Sequence, residues 1–167
     1  MKRFRGESLH KVDNKGRVSI PAPFRRVLEE GDPDWISGSN PTCVLVYGRK
    51  GANCLEGYSI ESIDEVDSLI SNLPRYSRER EMLERMLNTQ SLYSQIDENG
   101  RLVLSVKLRE LARIRSEAAF IGMGDKFQIW NPDCYKKDME KMEVELNELE
   151  GAEGLFSLLQ SSKTKVE

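Results

Sequence analysis

Arg17 and Arg101 each stand directly behind a turn glycine in one five-residue pattern, Asp13-Asn14-Lys15-Gly16-Arg17 and Asp97-Glu98-Asn99-Gly100-Arg101. Asp-x-x-Gly is first of all a turn. The aspartate accepts hydrogen bonds from the turn's own backbone, and the glycine takes the positive φ needed to leave it. A single such turn would be only a hairpin connection; the arginine is what turn chemistry does not ask for. A planar, permanently charged guanidinium one step into a strand suits a bidentate pair with Asp13 or Asp97, or contacts to phosphate and guanine. Both can hold at once, with the aspartate orienting an arginine that touches nucleic acid. The first turn adds Lys15, with Arg3, Arg5 and Lys11 on the flanking strand, whereas the second carries Glu98 and Asn99. The first turn is therefore expected to make most phosphate contacts, and the second to be partly structural.

Other chemistries lack their residues. His10 is the only histidine, so a Ser-His-Asp or Cys-His arrangement must run through it, and no nucleophile motif lies nearby. Cys43, Cys54 and Cys134 have no Cys-x-x-Cys spacing, which leaves no usual zinc site. There is no G-x-x-x-x-G-K-[ST] loop, and Gly122-Met123-Gly124 is a lone G-x-G in a hairpin. The acids Glu61, Asp64, Glu65 and Asp67 lack calcium-loop spacing and read as a solvated helix face. The expectation is no enzyme, no cofactor, no metal and no small-molecule substrate. Membrane partners are not expected either, because no window reaches the roughly 18 apolar residues of a span. Nor does the basic N-terminus lead into the apolar stretch of a signal peptide, so the chain is expected to stay in the cytoplasm.

The net charge of −3 hides a split. Residues 1–26 carry eight Lys or Arg (Lys2, Arg3, Arg5, Lys11, Lys15, Arg17, Arg25, Arg26) against Glu7 and Asp13; residues 136–153 carry three Lys against seven acids. Such asymmetry points to an anionic partner near the beginning of the chain.

The elements around the two turns repeat. Val18-Ser19-Ile20-Pro21 leads into Phe24-Arg25-Arg26-Val27-Leu28, and Leu102-Val103-Leu104-Ser105 into Leu108-Arg109-Glu110-Leu111-Ala112. Each copy then has an apolar β-type run (Cys43 to Tyr47; Ala119 to Ile121), a Gly-containing turn (around Gly48 to Gly51; Gly122 to Gly124) and a second strand ending at Tyr58 or Trp130. A capped helix closes both, with Ser59 as cap in the first, and Asn131 as cap with Pro132 at the first helical position in the second. From motif arginine to closing aromatic is 41 residues in one copy and 29 in the other, and the polar stretch from Gly31 to Pro41 accounts for the surplus as a loop.

The predicted organisation is thus a first module over 1–58 with a closing helix over 59–73, a linking helix over 77–90, a second module over 91–134, a helix over 135–150 and a tail over 151–167. Tyr135, Met139, Met142, Leu146 and Leu149 form a seam two heptads long, too short for a free coiled coil, that must dock on this chain or a neighbouring subunit.

These pieces resemble the MraZ family. The likeness rests on Phe4-Arg5-Gly6, on Asp13-x-Lys-Gly-Arg17-x-Ser-Ile-Pro21-Ala-x-Phe-Arg25, on the second D-x-x-G-R near residue 100, and on the stretch Gly124 to Pro132. It covers about residues 3–150; Ser105 departs from it where proline is usual, and the tail falls outside it. The resemblance implies an α+β fold of two AbrB/MazE-like swapped-hairpin modules in one chain, forming a pseudo-twofold β-barrel with flanking helices. It also implies a ring-shaped homo-oligomer, nucleoid-associated, that regulates the division and cell-wall gene cluster and its own operon by binding short direct repeats in promoter DNA. DNA contact carries over to Asp13, Arg17, Asp97 and Arg101. With Lys15, Arg3 and Arg5 these are expected to build one basic face per subunit, and the ring to gain affinity by engaging several DNA sites. The rival reading is a ring-forming adaptor or antitoxin-like protein whose last helix or tail grips a protein.

Overall fold

The computed structural model describes residues 3–49, 53–149 and 151–163. Lys2, Gly51 and residues 164–167 of the expectations above lie outside them. The residues up to Pro132 pack as one compact unit and those from Asp133 onward as a second.

In the first unit, β1 (Glu7–Lys11) and β2 (Arg17–Ser19) flank the first motif turn, followed by α1 (Ala22–Glu30), β3 (Thr42–Val46), β4 (Cys54–Tyr58) and α2 (Ile60–Ser71). After α3 (Arg78–Glu84) come β5 (Ser91–Gln95) and β6 (Arg101–Val103) around the second turn, then α4 (Val106–Leu111), β7 (Glu117–Gly122) and β8 (Lys126–Trp130). The helix starts follow the caps: the Ser59, Ser77 and Ser105 hydroxyls accept from the backbone of Ser62, Arg80 and Leu108. Ser105, the departure from the family pattern, thus caps α4, whereas Pro21 at the equivalent place offers α1 no side-chain bond. The linking segment is not one helix to residue 90. It changes at Arg85–Thr89 into a π-helical turn.

Six strands form one antiparallel sheet in the order β1-β7-β8-β4-β3-β5, and β2 pairs with β6 in a separate two-stranded ribbon. β1, beside the first motif turn, pairs with β7 (Leu9 opposite Ala119), and β5, beside the second, pairs with β3 (Tyr93 opposite Val44). Exchanging the two copies, β1 with β5, β3 with β7 and β4 with β8, leaves the strand order unchanged. Alternation along the strands explains the core. Cys43, Leu45, Leu55, Phe120, Phe127 and Ile129 point to one face and pack with Val18 and Leu102 of the ribbon and with Phe24, Leu28 and Leu108 of the short helices. Phe4 fills its centre, with ring centroids 5.4 Å from Phe24 and 5.1 Å from Phe127. On the other face Val44, Val46 and Tyr58 pack beneath Ile63 of α2.

The second unit differs from expectation. α5 runs Pro132–Glu148, and the tail forms a further helix, α6 (Gly151–Lys163). Of the heptad seam, Tyr135, Met139 and Leu146 are half-buried, and Met142 and Leu149 are exposed.

Candidate nucleic-acid interface

Each motif turn is closed by its aspartate. Asp13 Oδ1 accepts from the backbone N–H of Lys15 at 3.0 Å and of Arg17 at 2.9 Å, while Oδ2 accepts from Arg17 Nε at 2.6 Å. Asp97 repeats this with Asn99 at 2.8 Å, Arg101 N at 2.9 Å and Arg101 Nε at 3.1 Å. Gly16 and Gly100 take φ of 83° and 73°, as the turn requires. The backbone bond from Arg17 is the main reason the Asp13 carboxyl lies below the usual aspartate range, and that from Arg101 does the same for Asp97. The arginines are held through Nε alone, not in a bidentate pair. Among the described residues their terminal Nη groups have no protein partner, and both side chains keep about a third of their surface exposed (36% and 31%). The carboxylate thus fixes the plane of each guanidinium and leaves its outer fork free to donate.

The ribbon brings the two arginines together. Arg17 lies opposite Val103, Val18 opposite Leu102 and Ser19 opposite Arg101. Val18 and Leu102 point into the core, so Arg17, Ser19, Arg101 and Val103 share the outward face. Arg17 and Arg101 are diagonal neighbours there, about 7–8 Å apart at the backbone. Lys15 is exposed at the tip of its turn.

Two further cations, absent from the sequence-predicted site, crowd the same turns from the other copy. Arg109 donates from Nε to the Leu104 carbonyl at 3.0 Å and lies where a Cβ on Gly16 would meet it. Arg25 lies against Gly100, and its buried Nε has no hydrogen-bond partner among the described residues. The signal was in the repeat: Arg25 and Arg109 each follow the motif arginine by eight residues.

Arg3 and Arg5 are not brought to this face. Phe4 bridges to Gly124 and Arg3 pairs with Asp125, both in the β7–β8 turn. From there β1 runs to the motif turn, and the eight residues from Arg5 to Asp13 span about 26 Å at strand rise. The expected single face built on Arg3, Arg5, Lys15 and Arg17 is therefore divided between the two ends of β1.

Elsewhere the geometry offers little chemistry. His10 Nε2 and Ser8 Oγ lie 2.8 Å apart on β1, and the imidazole packs edge-on against Phe120, where burial lowers its pKa. The Cys43 thiol is buried and pushed up to about 12, unsuited to act as a thiolate. Among the described residues no three His, Cys, Asp or Glu side chains converge as a metal site, and no helix is long and apolar enough to cross a membrane.

A family model described as "MraZ protein, putative antitoxin-like" matches residues 3–86 and 89–156. The chain belongs to the MraZ family. A protein of Ruegeria pomeroyi named "Transcriptional regulator MraZ" is 57% identical over 149 residues, 89% of each chain. A relative of the same name from another Ruegeria strain is 54% identical over 149 residues, again 89% of each. A third, from Cereibacter sphaeroides, is 42% identical over 166 residues, covering 95% of this chain and 96% of its own. The MraZ match contains both turns, the whole ribbon, and Arg25 and Arg109. It also reaches into α6, further than the limit near residue 150 drawn from the motifs alone.

Proposed function

We propose that this chain is a sequence-specific, double-stranded-DNA-binding transcriptional regulator whose reading element is the β2–β6 ribbon. The observation that carries this is the outward pair Arg17 and Arg101, each anchored through Nε with its fork of donors free. A two-stranded ribbon fits the roughly 12 Å major groove, and an arginine fork matches guanine O6 and N7 or a phosphate. Lys15 adds a phosphate contact, and Asp13 and Asp97 hold the arginines. The names of the relatives support a regulatory role.

The same reading takes the fold as two swapped-hairpin modules, over 1–58 and 91–134, closing a pseudo-twofold barrel. The reciprocal pairing of β1 with β7 and β5 with β3 supports it. A chain of net charge −3 with so small a basic face gains affinity by assembling and engaging repeated promoter sites together. That assembly is a ring of identical subunits. The targets are direct repeats before the division and cell-wall genes and its own operon, with the protein cytoplasmic, nucleoid-associated and without enzymatic activity. A second reading, a protein-gripping adaptor or antitoxin-like module, is favoured by the family description "putative antitoxin-like" and by exposed Leu155, Phe156, Leu158 and Leu159 of α6.

The test is binding to DNA from just upstream of its own gene and to scrambled DNA, across a salt series, for wild type and Arg17→Ala. Specific binding that weakens steeply with salt and collapses in the variant supports the proposal. Equal, weak binding to both DNAs, unmoved by the substitution, overturns it in favour of a protein partner.

A further inference from the structure

The outward face of the ribbon is symmetric at its arginines and asymmetric at its other two residues. Exchanging the two motif stretches maps Arg17 onto Arg101, and Ser19 onto Val103. One diagonal of the face is therefore two identical guanidiniums; the other is a hydroxyl facing a branched hydrocarbon. Val103 is 52% exposed although it stands between charged side chains. The asymmetry continues at the adjoining helices, where the first residue of α4 is exposed Val106 and that of α1 is Ala22.

We infer that Val103 is a specificity-determining residue that seats against the C5-methyl of a thymine in the major groove, and that the Ser19/Val103 difference sets the direction in which the ribbon lies on its site. This rests on the DNA-binding reading above. Major-groove base edges present donors, acceptors and one apolar group, the thymine methyl. A valine on a face pressed into that groove loses water without gaining a hydrogen bond, so the methyl is the one base group that complements it. Ser19 donates or accepts and tolerates any base. The two arginines read alike in either orientation, whereas a methyl beneath Val103 is met only in one. Strand propensity also favours a β-branched residue at Val103, but a valine present for that reason alone makes no demand on the DNA.

The experiment selects the tightest-binding duplex from a randomised pool with the wild-type protein, then replaces its thymines one at a time with uracil, which removes only the methyl. Wild type should lose about fourfold in affinity at one position, the worth of one buried methyl. Val103→Ser should bind the thymine and uracil duplexes equally. On the same duplex with a thymine placed at the symmetry-related position, Ser19→Val should gain sensitivity to uracil there, a gain that impaired folding cannot mimic. Uracil tolerated at every position by wild type, sensitivity retained by Val103→Ser, or a selected site without thymine overturns the inference while specific binding stands. A pool that yields no sequence above random DNA overturns the DNA-binding reading and this inference with it.

Discussion

The Leu104 amide donates to the Gly16 carbonyl at 2.7 Å, and a Cβ placed on Gly16 would stand 2.0 Å from the Leu104 oxygen. The first motif turn is thus clamped against the backbone of the second copy, beyond the end of the ribbon ladder. Gly100 receives the equivalent bond from the Ile20 amide at 3.0 Å, but its Cβ would meet Arg25 Nη1 at 2.4 Å, the far end of a flexible side chain.

Alanine at these two glycines should therefore have unequal effects. Both substitutions bear the cost of positive φ, about 1–2 kcal/mol. Gly16→Ala must also displace backbone, so its loss is expected to exceed about 2 kcal/mol, while Gly100→Ala is relieved when Arg25 swings away. Urea midpoints at unchanged slope would show the order. Equal midpoints would mean that the backbone beside Gly16 yields as readily as the Arg25 side chain beside Gly100.

The Asp13–Arg17 pair gives a second expectation. If Asp13 serves to hold the guanidinium plane, Asp13→Ala and Arg17→Ala should each weaken specific DNA binding by about tenfold or more. The double substitution should then be little worse than either, because both remove one unit. Were the carboxylate only a negative charge beside DNA, Asp13→Ala would tighten binding instead. Titrations of the three variants at one salt concentration separate these outcomes.

Acid stability follows from the same carboxylates. Asp13 and Asp97 both titrate below the ordinary value of 3.8, so the unfolded chain takes up protons before the folded one. Their contribution is complete above that value and is lost as pH falls through it toward the folded values. His10 acts in the same direction at higher pH. Burial depresses its pKa from 6.5, so its contribution is present above 6.5 and declines as pH falls below it. Carboxyl resonances should show midpoints below 3.8 for both aspartates. Asp13→Asn/Asp97→Asn should flatten the acid limb of a plot of urea midpoint against pH while leaving the His10 step intact.

Much of this was legible because it is local. Asp-x-x-Gly dictates its own turn, Ser59 and Ser77 mark helix starts, and alternation along Val18-Ser19 and Leu102-Val103 sorts core from surface. What escaped depends on pairing between distant segments. Nothing in residues 97–101 indicates that Arg25 lies against Gly100, and clustering Arg3 with Arg17 in sequence ignored the length of β1 between them. The seam on α5 is legible only in part for a related reason, since apolar spacing shows that a face exists and not what covers it.

The separation along β1 yields the last expectation. Arg3, Arg5, Lys15 and Arg17 look equivalent in a charge count, yet Arg3 is paired with Asp125 at the end of β1 remote from the ribbon. If the ribbon alone meets the duplex, Lys15→Ala and Arg17→Ala should each reduce the salt slope of binding by about one. Arg17→Ala should in addition blur the preference for specific over scrambled DNA, because a fork that reads a base contributes more than charge. Arg3→Ala and Arg5→Ala should leave both slope and preference unchanged, and Arg3→Ala should cost no more than about 1 kcal/mol of stability, as for an exposed ion pair. A slope that fell equally for all four variants would mean that the DNA follows β1 along its length and that the ribbon is only part of the contact surface.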